Sequence, residues 1–290
     1  MKKLTFASLL FAFCFANAVV STVPSSFSVV TYAINNFATS PYTGEPWQHN
    51  LSTPVKASNA LVSSFQSSLS DKYGSSVAFS YKKNHDSQAT KARFTGTESN
   101  NYNFVYVDTH GNVDLIAMQP YGELVRNTEK AFAGKTYWAM FTSCLVFKKR
   151  EMHPAPWFNG IHSILGYSSS FGPYEDEKYT VKVKCGVFNL STCTRTRTRS
   201  SYYVQEQFAE NWIKDEQSIW ESFKNAVNKW MVEGRNYGIE PVITYLRGTV
   251  DGKSFAGLDE KFASSIQKPI YNGNGLELVY TWHTFGTPSY

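Results

Sequence analysis

After residue 18 the chain has no hydrophobic run long enough to cross a bilayer as a helix. It has no His-Glu-x-x-His sequence, and neither His153 nor His162 stands at metal-ligand spacing from a cysteine or carboxylate run. No metal is therefore expected. No glycine-rich loop is placed to cradle phosphate, and no organic cofactor is implied. Gly166 to Gly172 lacks the Gly-x-Ser-x-Gly spacing of a nucleophile elbow, which disfavours a serine hydrolase. An excess of one charge is also missing. The 28 Lys and Arg face 23 Asp and Glu, a formal net of +5, too weak to argue for nucleic acid. Cysteine is scarce, with four in 290 residues.

What is present begins with a leader. Lys2 and Lys3 precede an apolar stretch from Leu4 to Phe15, and Ala16-Asn17-Ala18 is a small-residue cleavage signal. Residues 1–18 read as a signal peptide, so the mature protein is expected to be secreted (extracellular or periplasmic) with no stable membrane insertion. Residues 19–290 are long enough for one large domain, and the 42% hydrophobic and 16% aromatic content supplies a sizeable core.

Cleavage removes Cys14 and leaves Cys144, Cys185 and Cys193. An odd count in an exported chain implies one unpaired or intermolecular thiol. Cys185 and Cys193 flank a turn-like segment and are the natural disulfide pair in an oxidising compartment. Cys144 is then the remaining thiol. It is read either as a small buried residue, as a link to a partner chain, or as a reactive group.

Phe27–Ile34 reads as a strand. Thr53-Pro54 starts a helix, with the hydroxyl as N-cap and Pro at the first position, and Leu61, Phe65 and Leu69 give it one apolar face up to Tyr73-Gly74. Strands are expected at 77–81, 103–108, 113–118, 136–142, 161–167, 239–246 and 276–282, with 82–100 a loop. Residues 123–133 have some helical character. Tyr179–Cys185 alternates with period two and belongs to a β-ribbon tied by Cys185–Cys193, an insertion around 175–202, followed by a flexible basic loop at Thr194–Ser200. A long helix at 204–233 carries the stripe Phe208, Trp212, Ile219, Trp220, Phe223, Val227 and Trp230. This order points to a single α/β domain, a three-layer sandwich with a mostly parallel central sheet and the ribbon as its insertion.

Two stretches carry the chemistry. Phe104–Gly111 reads Phe-Val-Tyr-Val-Asp-Thr-His-Gly, and Tyr137–Cys144 is an apolar run ending in Thr-Ser-Cys. Each is a strand that ends on a reactive side chain, and the length between them allows a parallel crossover. Ligands of open α/β sheets sit at the carboxyl ends of strands. A His and a Cys meeting there make a base and a nucleophile, because imidazole renders the thiolate accessible near neutral pH. Gly111 leaves room for a substrate backbone, and its N–H could hold an oxyanion.

A strand ending in His-Gly, followed by one ending in a small residue and Cys, resembles the caspase, legumain and gingipain superfamily of cysteine peptidases. The direct match spans Phe104–Gly111 and Trp138–Cys144. The resemblance implies a caspase-like fold, His110 as general base and acid, Cys144 as nucleophile forming a thioester, and Gly111 and Cys144 N–H groups as oxyanion donors. Its partner would be a peptide or protein substrate. The chain departs from caspases, which carry Gln-Ala-Cys-x-Gly, and from legumains, which place Glu and a small residue before the Cys. Here Thr142 and Ser143 precede Cys144, and Leu145 and Val146 follow.

Asp108 either orients His110 or caps the loop, and Asp108, Ser143 and His162 are possible pocket residues. His162 also reads as a satisfied core histidine, while His49, His85 and His283 read as isolated surface residues. Arg195, Arg197 and Arg199 form an exposed basic loop, or a processing site. Asn50 and Asn189 stand in glycosylation sequons. The reading is an exported cysteine hydrolase, a peptidase, with a non-catalytic caspase-like binding protein as the alternative.

Overall fold

The structure, a computed structural model, describes residues 23–37, 50–119, 123–148, 154–169, 177–185, 191–232, 239–273 and 275–286. The leader, His49, His153, Asn189 and most of the loop through Trp47 lie outside the described residues.

Thirteen strands and four α-helices are described. In chain order they are β1 (Ser26–Ala33), α1 (Pro54–Tyr73), β2 (Ala78–His85), α2 (Lys91–Thr95), β3 (Phe104–Asp108), β4 (Gly111–Asn112), β5 (Leu115–Met118), β6 (Glu123–Arg126), β7 (Trp138–Phe141), β8 (Ser163–Tyr167), β9 (Glu177–Cys185), β10 (Ser191–Arg199), α3 (Ser201–Ala209), α4 (Ile219–Val227), β11 (Pro241–Val250), β12 (Lys253–Ala256) and β13 (Leu276–Trp282). The main sheet runs β2–β1–β3–β7–β8–β11, with its first five strands parallel and β11 antiparallel to β8. β12 and β13 add antiparallel to β11.

The parallel strands are apolar on both faces, as covering on both sides demands. Phe27, Phe104, Tyr106, Trp138 and Met140 point to one face, and Val30, Tyr32, Val105, Val107 and Phe141 to the other. Helices α1, α3 and α4 cover the first face, where Leu61, Phe65, Phe208, Trp212 and Phe223 are buried. Each such side chain contributes about 1.5–3 kcal/mol by leaving water. The second face is covered by the short helix α2, the three-stranded sheet β4–β5–β6 and the aromatic Trp157, whose ring stacks on Phe141 at 4.9 Å. These are the three layers the strand and helix order called for.

Helix α1 has its expected ends, with Pro54 at its start and Gly74 at φ 59° after its last residue, although the Thr53 hydroxyl makes no capping bond. Five sequence expectations need correction. Residues 82–100 are not one loop, because β2 continues to His85 and α2 follows. His85 is half-buried, not a surface residue, with Nε2 2.9 Å from Ser58 Oγ. Residues 123–126 form strand β6, paired with β5, so the connection from β3 to β7 is a small antiparallel sheet rather than a helix. The helix expected at 204–233 is two. A wide turn at Glu210–Lys214, with Asp215 N–H bonded to Glu210 C=O, ends the first, and Ser218 Oγ caps the second by accepting from Glu221 N–H. The aromatic stripe continues across the break because both helices face one sheet, so periodicity could not reveal it. Finally, Thr194–Arg199 is not a flexible loop. Its Thr/Arg alternation is a strand period, and it pairs residue by residue with β9. The ribbon is closed by the Cys185–Cys193 disulfide, with Cα atoms 5.9 Å apart.

Candidate active site

β3 and β7 are adjacent and parallel, with Phe104 opposite Trp138 and Val107 opposite Phe141. His110 lies three residues beyond Val107, and Cys144 lies three residues beyond Phe141. The two reactive residues therefore leave the same edge of the sheet at the same level, on backbones that are about 5 Å apart. The pairing persists past the strands. Thr142 N–H donates to Val107 C=O at 2.9 Å, and Thr109 N–H donates to Ser143 Oγ at 3.3 Å.

Gly111 holds the two loops in contact. A Cβ at this position would stand 2.7 Å from Ser143 Cβ, 2.7 Å from Val146 Cγ2 and 2.9 Å from Cys144 O, closer than carbon tolerates. Glycine is thus required by the turn that carries the cysteine. Ala117 N–H donates to His110 C=O at 2.9 Å, which makes 110 and 117 a bonded antiparallel pair. Bonded and non-bonded pairs alternate, so Gly111, opposite Ile116, directs its N–H away from β5.

His110 and Cys144 are both half-buried, and Cys144 lies outside the Cys185–Cys193 disulfide. The His110 ring lies against Phe37, with centroids 5.4 Å apart. Phe37 is buried just beyond β1, where Asp86 Oδ1 accepts from Asn35 and Asn36 N–H groups and fixes the chain's exit. Immediately after Cys144, Leu145 adopts φ 55°, a region that costs a residue with a Cβ about 1 kcal/mol. The turn is held by Leu145 N–H to Ser169 C=O at 3.4 Å and Phe147 N–H to Tyr167 C=O at 3.3 Å. Backbone strain of this kind concentrates at functional sites.

Asp108 is fully buried beneath the site on the helix-covered face. Its carboxylate accepts from Tyr106 Oη at 2.8 Å, and Thr142 Oγ1 donates to the same Oη at 3.1 Å. Desolvation pushes the carboxyl up to about 6, against the hydrogen bonds from Tyr106 and Thr142. Burial, with the neighbouring Asp108 charge, drives the Tyr106 hydroxyl well above its ordinary value. Asp108 thus belongs to a polar chain linking β3 to the start of the cysteine turn, rather than to a capped loop. Ser143, also fully buried, accepts from the His110 loop and ties the two loops together.

His162 lies elsewhere, which corrects its place as a possible pocket residue. It precedes β8, at the sheet edge opposite Cys144, and is fully buried. Its Nε2 donates to Lys268 C=O at 2.8 Å, and Nδ1 is 3.0 Å from both oxygens of Glu260. Glu260 also accepts from Trp138 Nε1 at 2.8 Å. This is the satisfied core histidine of the sequence reading. Phe37, Tyr106 and Ser169 went unnoticed in the sequence. Phe37 carried the one available signal, an aromatic residue just past the end of a strand.

No protein-family model matches the chain, and no curated protein does. Among solved structures it is similar to the Arg-specific cysteine proteinase gingipain R, with 10% identity and a TM-score of 0.41 over 90% of this chain and 67% of that one. It is also similar to caspase-1 from Spodoptera frugiperda, with 8% identity and a TM-score of 0.38 over 93% of this chain and 90% of that one.

Proposed function

We propose that the protein is an exported cysteine hydrolase of caspase-like type, acting on peptides through His110 and Cys144. The observation that carries this reading is the register. Val107 and Phe141 are paired, and both reactive residues stand three positions beyond them. His110 takes the Sγ proton, and the thiolate attacks the substrate carbonyl carbon. The N–H of Gly111, turned away from the β5 ladder, and that of Cys144 receive the oxyanion. Collapse breaks the C–N bond, gives a thioester on Cys144, and releases the amine with the proton from His110. Water then adds to the thioester with His110 as base, freeing the acid and the thiol.

Two further observations support it. Cys185 and Cys193 are paired with each other, which fits an oxidising destination. In the sequence, Lys2 and Lys3 before the apolar stretch Leu4–Phe15 read as a leader that would supply the route of export. The test is a peptide-library cleavage screen on the mature protein, with Cys144→Ala as control. Cleavage by the wild type and its loss in Cys144→Ala are expected. Absence of cleavage, together with a wild-type thiol no more reactive than free cysteine, would favour a binding protein on the same scaffold.

A further inference from the structure

The β9–β10 ribbon has two unlike faces. By register Tyr179, Val181, Arg195, Arg197 and Arg199 share one face, on which Arg195 and Arg197 are exposed while Val181 and Arg199 turn to the body of the protein. Val181 and Arg199 are buried there, and the Arg199 guanidinium sits 4.2 Å above the Tyr179 ring. The other face pairs Lys178 with Thr198, Thr180 with Thr196, Lys182 with Thr194, and Lys184 with Thr192. Its three lysines are exposed, and none makes an ion pair among the described residues. No Asp or Glu occurs in 178–185 or 191–199.

Along a strand, Lys182 and Lys184 project about 7 Å apart, and Lys178 lies about 13 Å from Lys182. The three lysine charges follow one another along a single strand with only neutral threonines opposite them, so no anionic group on this face screens them, and an isolated two-stranded ribbon is marginal in water. Here the disulfide ties the ribbon near its tip while the repulsion stands. A polyanion lying along the face would relieve it.

Chemistry narrows the partner. The face carries no aromatic side chain for base stacking and no apolar side chain to enter a bilayer. Its threonine row offers hydroxyl donors and acceptors at regular spacing. A shallow depression at its base, about 360 Å³, is lined by Lys178, Tyr179, Thr180 and Thr196. The disulfide places the ribbon in an oxidising compartment, where nucleic acid is not the prevailing polyanion.

We propose that this Lys/Thr face docks a linear anionic polysaccharide, with sulfate or carboxylate groups against Lys178, Lys182 and Lys184 and sugar hydroxyls against the threonine row. The site is independent of the cysteine chemistry.

The test measures binding of the mature protein to fluorescein-labelled heparin across a salt series. The ribbon variant is Lys178→Gln/Lys182→Gln/Lys184→Gln. A control of equal charge change is Lys135→Gln/Lys253→Gln/Lys261→Gln, three exposed lysines elsewhere. The ribbon variant is expected to bind at least ~10-fold more weakly, with a salt slope shallower by ~2–3, one increment per lost counterion contact. The control is expected to stay within ~2-fold of wild type. Equal losses in the two variants would overturn the proposal. So would duplex DNA or phosphatidylserine vesicles that bind as tightly as heparin with the same dependence on the three lysines.

Discussion

Asp108 shows what a single buried group adds to the site. Its carboxyl is raised to about 6 by desolvation, while Tyr106 holds the ionised form. In an unfolded chain the group titrates near about 3.9. The folded state therefore binds the proton more tightly than the unfolded state. The stabilisation is complete below about pH 4 and is lost as pH rises through 6. Asp108→Asn keeps an acceptor for Tyr106 and removes the charge. At pH 7.5 the variant is expected to match or exceed wild-type stability by up to about 3 kcal/mol, the cost of ionising a carboxyl that titrates at about 6 when folded and at about 3.9 when unfolded. The advantage should vanish below pH 4. Urea unfolding at the two pH values checks it, and a variant less stable than wild type at pH 7.5 would refute the sign.

At the scale of elements, the site exists because two parallel strands end together and their loops stay in contact. Gly111 is the contact, so a methyl group there must part the loops. Gly111→Ala is expected to cost about 1–3 kcal/mol of stability, as overpacking does. It should also slow thiol alkylation and peptide cleavage at least ~10-fold, since a misplacement of 1 Å is costly to catalysis. Unfolding midpoints and rates on the purified variant decide this, and full activity would show that the two loops work apart.

The same scale explains what could be read in advance. The continuous apolar runs of β3 and β7 mark buried parallel strands, and their reactive ends mark the site. The period-two signal of Tyr179–Cys185 was equally plain. The break at Asp215–Ser218 was hidden because Trp212 and Trp220 face one core from two helices. Strand β6 was hidden because four residues are too few to show a period. Ser169 could not be inferred, since its role depends on which chain ends meet at the sheet edge, and Phe37 offered only its place just past the end of a strand.

The described residues form a sheet whose two faces are buried by unequal means, with three helices on one side and the short helix α2, a small sheet and aromatic rings on the other. That arrangement leaves His110 and Cys144 half-exposed at the carboxyl edge of β3 and β7. The disulfide-closed ribbon is a separate device on the same body, with its own charge and its own partner. The central claim is that His110 activates Cys144. The most direct test follows the rate of iodoacetamide alkylation of Cys144 against pH, in wild type and in His110→Ala. The account predicts a wild-type thiol that titrates below about pH 7 and a variant that titrates near about 8.5, the value of an unassisted cysteine. Coincident profiles near 8.5 in both proteins would contradict it.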